Sequence, residues 1–196
     1  MYVESKFCIL YVYLEVNMEN RTPIIEVAIE GEYGYELALK GLSLNKNQPI
    51  ENMADLARKL CNLDEGHNKF LESIYLWINV KAARYFWQEA DTYRLTTKQS
   101  ESTMHTIMKR KLIQNDFCYG IPSYLLDDLN LCIENKDFIR LKRILPESFL
   151  QRRLWVMNYK TLRNIIHQRR NHKLEEWLIF IGKIYSQAKH IELLPS

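Results

Sequence analysis

The feature that most constrains this chain is a strict alternation of apolar and polar residues over positions 73–81. The residues on the apolar side are Ile74, Leu76, Ile78 and Val80. A period of two predicts a half-buried strand, with one face in a core and the other toward water. Residues 24–30 follow the same pattern, so the first part of the chain is predicted to contribute half-buried strands to a sheet.

Helical spacing of apolar residues dominates the rest of the chain, above all its second half. Helices are predicted over residues 36–44, 52–63, 82–90, a segment opened by Pro122, 137–145, 158–170 and 174–189. The polar stretch 95–102 has no period and is predicted to be a loop. Together these patterns favour an α+β fold, with one domain over residues 23–196. Residues 1–22 are predicted to be a leader, either a strand or a disordered segment.

Composition excludes several classes of protein. The chain has 196 residues, of which 47% are hydrophobic and 26% charged, which is typical of a globular domain rather than a disordered one. No apolar run reaches the roughly 18 residues of a membrane span. The four Cys form no CxxC pair and the five His have no metal-ligand spacing, so no metal site is predicted and the thiols are expected to be reduced in a cytoplasmic compartment. Motifs of P-loop proteins, dinucleotide-binding folds, zinc proteases and serine hydrolases are missing from the sequence.

Two polar stretches carry more chemistry than packing requires. Residues 91–105 supply hydroxyls, an Arg, a Lys and a His, the donor types that bind phosphate, although a solvated loop is the alternative. Residues 158–170 are predicted to form a helix with Asn158, Lys160 and Asn164 on its polar side. That side could meet one ligand, form a basic solvent face or contact nucleic acid through its Lys and Arg cluster. The lack of interleaved aromatic residues and the net charge of +3 weigh against nucleic acid.

Four segments occur in a fixed order with characteristic spacing. They are Gly66–Ser73 leading into Val80–Ala82, Thr92–His105 with Arg94 and Ser102, Lys142–Arg143 before Pro146, and Asn158, Lys160, Asn164 and Arg169. In order and spacing they resemble the flavin-dependent thymidylate synthases, over about residues 31–183. The second segment aligns without a gap with the family signature Arg-His-Arg-x-x-Ser-x-Asn-x-x-Ser-x-Arg-Tyr, and the last with its Asn-x-Arg, Asn and final Arg.

This resemblance implies the family's α+β fold, with an antiparallel sheet packed with helices and a helical C-terminal half. It also implies one-carbon transfer from methylenetetrahydrofolate to C5 of dUMP, with FAD as cofactor, NADPH as reductant and four chains in the assembly. The residues implied at FAD are Lys69, Thr92, Tyr93, Arg94, Asn158, Lys160 and Asn164. Those implied at the nucleotide are Glu89, Ser100, Glu101, Ser102, Lys142 or Arg143 at its phosphate, and Arg169. Arg169 is implied as the catalytic residue, polarising the pyrimidine.

Two departures from the family pattern bear on the substrate. Glu89 stands where the family has Gln, and Met104 stands where it has an Arg that contacts the nucleotide phosphate. Each lost charge-assisted contact removes roughly 1.5–3 kcal/mol of binding free energy. The pattern predicts another pyrimidine nucleotide, a hydroxymethyl product, or a flavin or nucleotide binder without catalysis. Such divergence is similar to that of phage-encoded members of the family. A phage-encoded member would act in the host cytoplasm. Neither a membrane nor nucleic acid is expected as a partner.

Overall fold

The computed structural model describes residues 23–63 and 66–195, so the predicted leader over residues 1–22 lies outside the described residues. The strands are β1 Glu26–Tyr33, β2 Tyr75–Ala83, β3 Thr96–Ser100 and β4 Leu150–Asn158. The helices are α1 Tyr35–Lys46, α2 Met53–Leu60, α3 Arg84–Ala90, α4 Thr103–Thr106, α5 Ser123–Glu134, α6 Phe138–Ile144, α7 Tyr159–Arg169 and α8 Glu175–Gln187. Short 3₁₀ helices occupy Ile50–Asn52, Lys69–Ser73, Gln114–Asp116 and Ile191–Leu193. This architecture confirms the predicted α+β fold class.

The strands form one antiparallel sheet in the order β1-β2-β4-β3. Its covered face is the one that the alternation predicted: Leu76, Ile78 and Val80 of β2 are fully buried. Ile78 pairs with Trp155 of β4 and Leu76 with Met157, so the two central strands share one apolar face. The opposite face lies toward solvent, an arrangement that is common in antiparallel sheets.

Two strands differ from the sequence prediction. The stretch predicted as a loop over residues 95–102 contains β3, an edge strand whose pairing partner is β4. Its exposed polar residues carry no apolar period, so only pairing with β4 defines it as a strand. Strand β4 was not predicted, because two Arg interrupt its alternation. Arg153 lies over the Trp87 ring at 4.5 Å and forms an ion pair with Asp91, which lets a charged residue lie on the covered face.

The main core lies between the sheet and the helices and is built around aromatic rings. Its largest buried rings include Phe86 and Trp87 of α3, Trp155 of β4, and Trp177 and Phe180 of α8. The ring centroids of Trp87 and Trp155 are 5.8 Å apart, and those of Trp155 and Trp177 are 6.5 Å apart. Edge-to-face contacts at these distances stabilise a core beyond the area that they bury.

A second, smaller core lies in the chain between β3 and β4, which we call the helical lobe (residues 101–149). Buried residues in this lobe include Leu112, Phe117, Leu129 and Leu141. Phe117 forms an isolated bridge with Phe149 and thereby closes the lobe against the start of β4. The helical lobe therefore has its own apolar centre, beside the main core.

Gly34 sets the path from the sheet into α1. Its φ of 97° lies in the left-handed region, and a Cβ there would clash with the carbonyl oxygen of Ser73. Glycine is the residue that adopts this conformation without strain. The close approach fixes the turn over residues 69–73 against α1. Within residues 23–63 and 66–195, no helix combines the length and apolar character needed to cross a membrane.

Candidate functional site

A cleft of about 1040 Å³ opens where β4 passes into α7. Its wall is formed by one side of α7 along most of its length, the turn after α3 and the two residues after α2, together with Asn68, Glu72 and, near the C-terminus, Pro195. Six of the residues that the sequence implied at a cofactor lie in this wall: Thr92, Tyr93, Arg94, Asn158, Lys160 and Asn164. The seventh, Lys69, is exposed and is not part of the wall, although its neighbour Asn68 is.

Asn158 sets the beginning of α7. Its side-chain oxygen accepts a hydrogen bond from the backbone N–H of Thr161 at 2.9 Å, which caps the helix. The backbone N–H of Tyr159 donates to the carbonyl oxygen of Ile74 at 2.8 Å and ties the helix start to the residue before β2. Since the cap uses the Asn158 oxygen, its amide nitrogen is left as a donor. The positive end of the α7 dipole lies at the cleft.

The charges of the cleft favour an anionic ligand. Lys160 pairs with Glu72 at 2.7 Å, and this hydrogen bond holds the pKa of the Glu72 carboxyl below its ordinary value. The guanidinium of Arg94 makes no hydrogen bond or ion pair with any residue in the described ranges 23–63 and 66–195. Arg163 and His167 also line the wall. Cations therefore outnumber the carboxylate there, which suits phosphate groups.

Arg169, at the end of α7, is held in one orientation beside the cleft. Its Nη1 donates to Glu89 at 2.7 Å and its Nε to the Tyr93 hydroxyl at 2.8 Å. The guanidinium lies over the Trp177 ring at 4.8 Å, and 16% of the side chain is exposed. The next residue, Arg170, is exposed, as one step of about 100° around a helix requires.

Glu89 is the centre of this arrangement. Its Oε2 also accepts hydrogen bonds from the indole Nε1 of Trp177 at 3.0 Å and faces Nε2 of His172 at 3.2 Å. Nδ1 of His172 accepts from the backbone N–H of Leu174, so Nε2 is the ring nitrogen that donates to Glu89. A carboxylate suits three converging donors because it only accepts hydrogen bonds, whereas an amide would bring two donor hydrogens of its own.

The other residues implied at the nucleotide lie away from the cleft. Ser100 and Glu101 border a depression of about 990 Å³ on the open face of the sheet, next to Trp77. Lys142 donates to Thr103 Oγ1 at 2.7 Å, just after Ser102, and burial beside Arg84 lowers the pKa of its ammonium. Arg143 is exposed. Ser100 is four residues along β3 from its cleft end, about 13 Å at the rise of a strand.

Two solved structures share this arrangement of strands and helices. One is thymidylate synthase X from Helicobacter pylori with FAD and dUMP, at a TM-score of 0.75 and 16% identity, covering 86% of this chain and 97% of that one. The other is flavin-dependent thymidylate synthase from Helicobacter pylori complexed with FAD and dUMP, at a TM-score of 0.71 and 16% identity, covering 82% and 92%. The chain has the fold of the flavin-dependent thymidylate synthases. No protein-family model and no curated protein sequence matches it.

The donor set of the cleft fits FAD, the cofactor that the sequence resemblance implies. The Arg94 guanidinium and the α7 N-terminus suit a diphosphate, and side-chain amides at Asn158 and Asn164 suit the polar edge of a heteroaromatic ring. The volume is at the upper end of ordinary ligand pockets. In the part of the chain that the structure describes, no group of His, Cys, Asp and Glu side chains is placed to hold a metal ion.

Several residues of the site were not predicted from the sequence. Gln168 lines the cleft and bonds to Asn164, and the i, i+4 spacing of the two on one helix is the signal that would have found it. His172 and Trp177 hold Glu89, but they come from the turn after α7 and from α8. Only the packing of α8 against α3 brings them to Glu89, so no local pattern predicts them.

Proposed function

We propose that the protein carries out flavin-dependent one-carbon transfer to C5 of a pyrimidine deoxynucleotide such as dUMP. The observation that carries the proposal is one cleft, in a thymidylate synthase fold, lined by Arg94, Asn158, Lys160 and Asn164, with Arg169 anchored at its edge through Tyr93. The Helicobacter pylori structures with this fold hold FAD and dUMP. Methylenetetrahydrofolate as carbon donor and NADPH as reductant belong to the same proposal.

In this proposal the cleft residues hold FAD. Arg94, Lys160 and the start of α7 bind its phosphates, while Asn158 and Asn164 meet its ring system. The flavin supplies a hydride when it is bound and reduced. The wall residues bind the cofactor and keep water from the reacting face, and Thr92 helps to fix the turn by donating to the Glu89 carbonyl oxygen at 2.7 Å.

Arg169 would act on the pyrimidine. A guanidinium locked by Glu89 and Tyr93 stabilises negative charge that develops on a ring oxygen or nitrogen, without reorganising during the reaction. Its Nη2 makes no hydrogen bond to a described residue and is the atom left for the substrate. The negative charge of Glu89 offsets part of the positive charge of Arg169. This favours a substrate that has a hydrogen-bond donor facing the Arg169–Glu89 pair.

The nucleotide phosphate would be bound by Lys142 or Arg143, with Ser100, Glu101 and Ser102 nearby. These residues lie at the far end of β3 from the cleft of the same chain. A homotetramer, in which one subunit's lobe completes the neighbour's cleft, would unite the two groups. A cytoplasmic location, in a phage host if the chain is phage-encoded, remains a prediction.

The Arg169–Glu89 ion pair also supports a second candidate function. A non-catalytic flavin or nucleotide binder would keep the cleft while Glu89 neutralises the catalytic Arg. The two candidates differ in turnover and agree on FAD binding.

The test combines binding with turnover. Purified protein should be yellow or quench the fluorescence of added FAD. Given NADPH, FAD and methylenetetrahydrofolate, it should release tritium from C5-labelled dUMP, dCMP or UMP, and the substrate is the nucleotide that releases it fastest. FAD uptake without tritium release from any of the three would select the non-catalytic candidate. A colourless protein without FAD uptake, or a monomer by light scattering, would contradict the proposal.

A further inference from the structure

A chain of hydrogen bonds joins Arg169 to Asn164. Nε of Arg169 donates to the Tyr93 hydroxyl oxygen at 2.8 Å. That hydroxyl is 3.0 Å from Oε1 of Gln168, and Nε2 of Gln168 is 3.1 Å from Oδ1 of Asn164. We call these four side chains the relay. Three of them, Tyr93, Gln168 and Asn164, lie in the wall of the cleft, and Arg169 lies beside it.

The directions of the bonds in the relay follow from Arg169 and from the placement of the Gln168 amide. A guanidinium can only donate, so the Tyr93 oxygen accepts from Arg169. The carbonyl oxygen of Gln168 lies at the Tyr93 hydroxyl and accepts its single proton. The Gln168 amide must then turn its NH₂ group toward the Asn164 carbonyl oxygen. The Asn164 NH₂ group then has no acceptor among the residues that the structure describes. The relay therefore presents Asn164 to the cleft as a hydrogen-bond donor.

We propose that Tyr93 and Gln168 are positioning residues that fix Asn164 as a donor to the cleft ligand and couple that ligand to the occupancy of Arg169. The inference rests on the proposed function, since it takes FAD as the cleft ligand and the nucleotide as the ligand of Arg169. The ligand atom that meets Asn164 is then an acceptor, a carbonyl oxygen or an unprotonated ring nitrogen. The Tyr93 hydroxyl acts within the protein, in contrast to the direct cofactor contact implied by the family resemblance.

Coupling follows because both ligands use the same ordered chain. Arg169 is already held by Glu89 and Tyr93, whereas Gln168 and Asn164 are exposed. A nucleotide that is hydrogen-bonded to Nη2 of Arg169 therefore acts by ordering the exposed end of the relay, and FAD then meets an Asn164 that is already oriented. By linkage, FAD raises the affinity for the nucleotide by the same factor. A neutral hydrogen bond contributes about 0.5–1.5 kcal/mol, which corresponds to a coupling of about 2- to 12-fold.

The experiment measures FAD affinity by fluorescence quenching, with and without saturating dUMP, in the wild type, Tyr93→Phe and Gln168→Glu. In the wild type dUMP should tighten FAD binding by about 2- to 12-fold, and in Tyr93→Phe that effect should vanish. Gln168→Glu removes the donor to Asn164, whose NH₂ group then turns to the new carboxylate and leaves its carbonyl toward the flavin. FAD binding should weaken and the visible flavin spectrum should shift.

Tyr124→Phe is the matched control, because Tyr124 lies on α5 and is 76% exposed. It should behave as the wild type, and thermal melts should show that every variant is folded. An unchanged dUMP effect in Tyr93→Phe would overturn the relay while leaving the proposed function intact.

Should the wild type fail to bind FAD, the proposed function is lost, and the relay is tested by ¹⁵N NMR of the ligand-free protein. Tyr93→Phe should then shift the side-chain amide signals of both Gln168 and Asn164, and unshifted signals would overturn it.

Discussion

The two ends of β3 differ in how much of a binding site each one completes. At the cleft end, residues from α7, the turn after α3 and the turn before residues 69–73 converge within one chain. At the other end, Ser100 and Glu101 face an open depression, and Lys142 is bound to Thr103 of the helical lobe. Under the proposed function, cofactor binding would depend on the main core, whereas nucleotide binding would depend on the lobe and on what packs against it.

The largest expected effect separates the two cores. Leu162 of α7 and Leu141 of α6 are both fully buried, the first behind the cleft and the second in the helical lobe. Truncation of either to Ala should cost about 2–5 kcal/mol of local or global stability. Leu162→Ala should also abolish FAD binding, while Leu141→Ala should leave FAD affinity within about two-fold and expose the lobe to hydrogen exchange. Equal losses of FAD affinity would mean that the two cores are a single unit.

A second prediction concerns Arg169, whose loss is expected to lower turnover without releasing FAD. Arg169→Ala should lower turnover by about 10²–10³-fold, as loss of a fixed donor to a developing charge does, while FAD stays bound. Arg169→Lys should recover only part of the rate, because an ammonium cannot reproduce the planar contacts to Glu89 and Tyr93. Arg170→Ala is the control and should remain active. An inactive Arg170→Ala with an active Arg169→Ala would reverse the assignment.

Substitution of Lys142 tests the proposed nucleotide-binding role of the helical-lobe end of β3. Lys142→Met should weaken nucleotide binding by about 1.5–3 kcal/mol, the size of one charge-assisted contact, without changing FAD affinity. Arg143→Met decides which of the two neighbours binds the phosphate. Because burial lowers the pKa of Lys142, nucleotide affinity should fall with rising pH earlier than for an exposed Lys. Isothermal titration of dUMP over a pH series measures both effects, and a loss of FAD affinity in Lys142→Met would contradict the division.

The smallest expected effect lies at the cleft rim. Glu72→Gln removes the partner of Lys160, and an exposed pair of this kind contributes below about 1 kcal/mol to stability. The pKa of Glu72 is lowered in the folded protein, so its contribution is present above the ordinary pKa of Glu and is lost as pH falls through the lowered value. Urea unfolding at neutral and acidic pH should show a difference between wild type and variant only at neutral pH. A difference that persists in acid would exclude this pair as its source.

The sequence predicted those parts of the fold that have a period of their own. Strand β2 alternates strictly and was predicted within two residues, and α5 and α7 follow from their apolar stripes. Strand β4 was missed, since Arg153 reaches the covered face through Trp87 and Asp91, a contact that exists only after folding. Edge strand β3 was predicted as a loop for a similar reason, because only its pairing with β4 defines it as a strand.

The residues of the site also fall into those that a local pattern predicts and those that only tertiary packing brings together. Residues of one helix, such as Lys160 and Asn164, were placed on one cleft by spacing and by family resemblance, and the structure puts them in its wall. Glu89 was singled out as a substitution, but its three donors come from the end of α7, the following turn and α8. Such convergence depends on tertiary packing, which no local pattern carries. The role of each residue remains a prediction until the variants above are measured.

The aromatic core has an optical consequence. Trp87, Trp155 and Trp177 form an edge-to-face series, and the last of them touches both Arg169 and Glu89. Excitation absorbed in this series should be shared among the three rings by energy transfer, so their combined emission would report on the Arg169 pair without any attached dye. A bound flavin, which absorbs where tryptophan emits, would quench that emission.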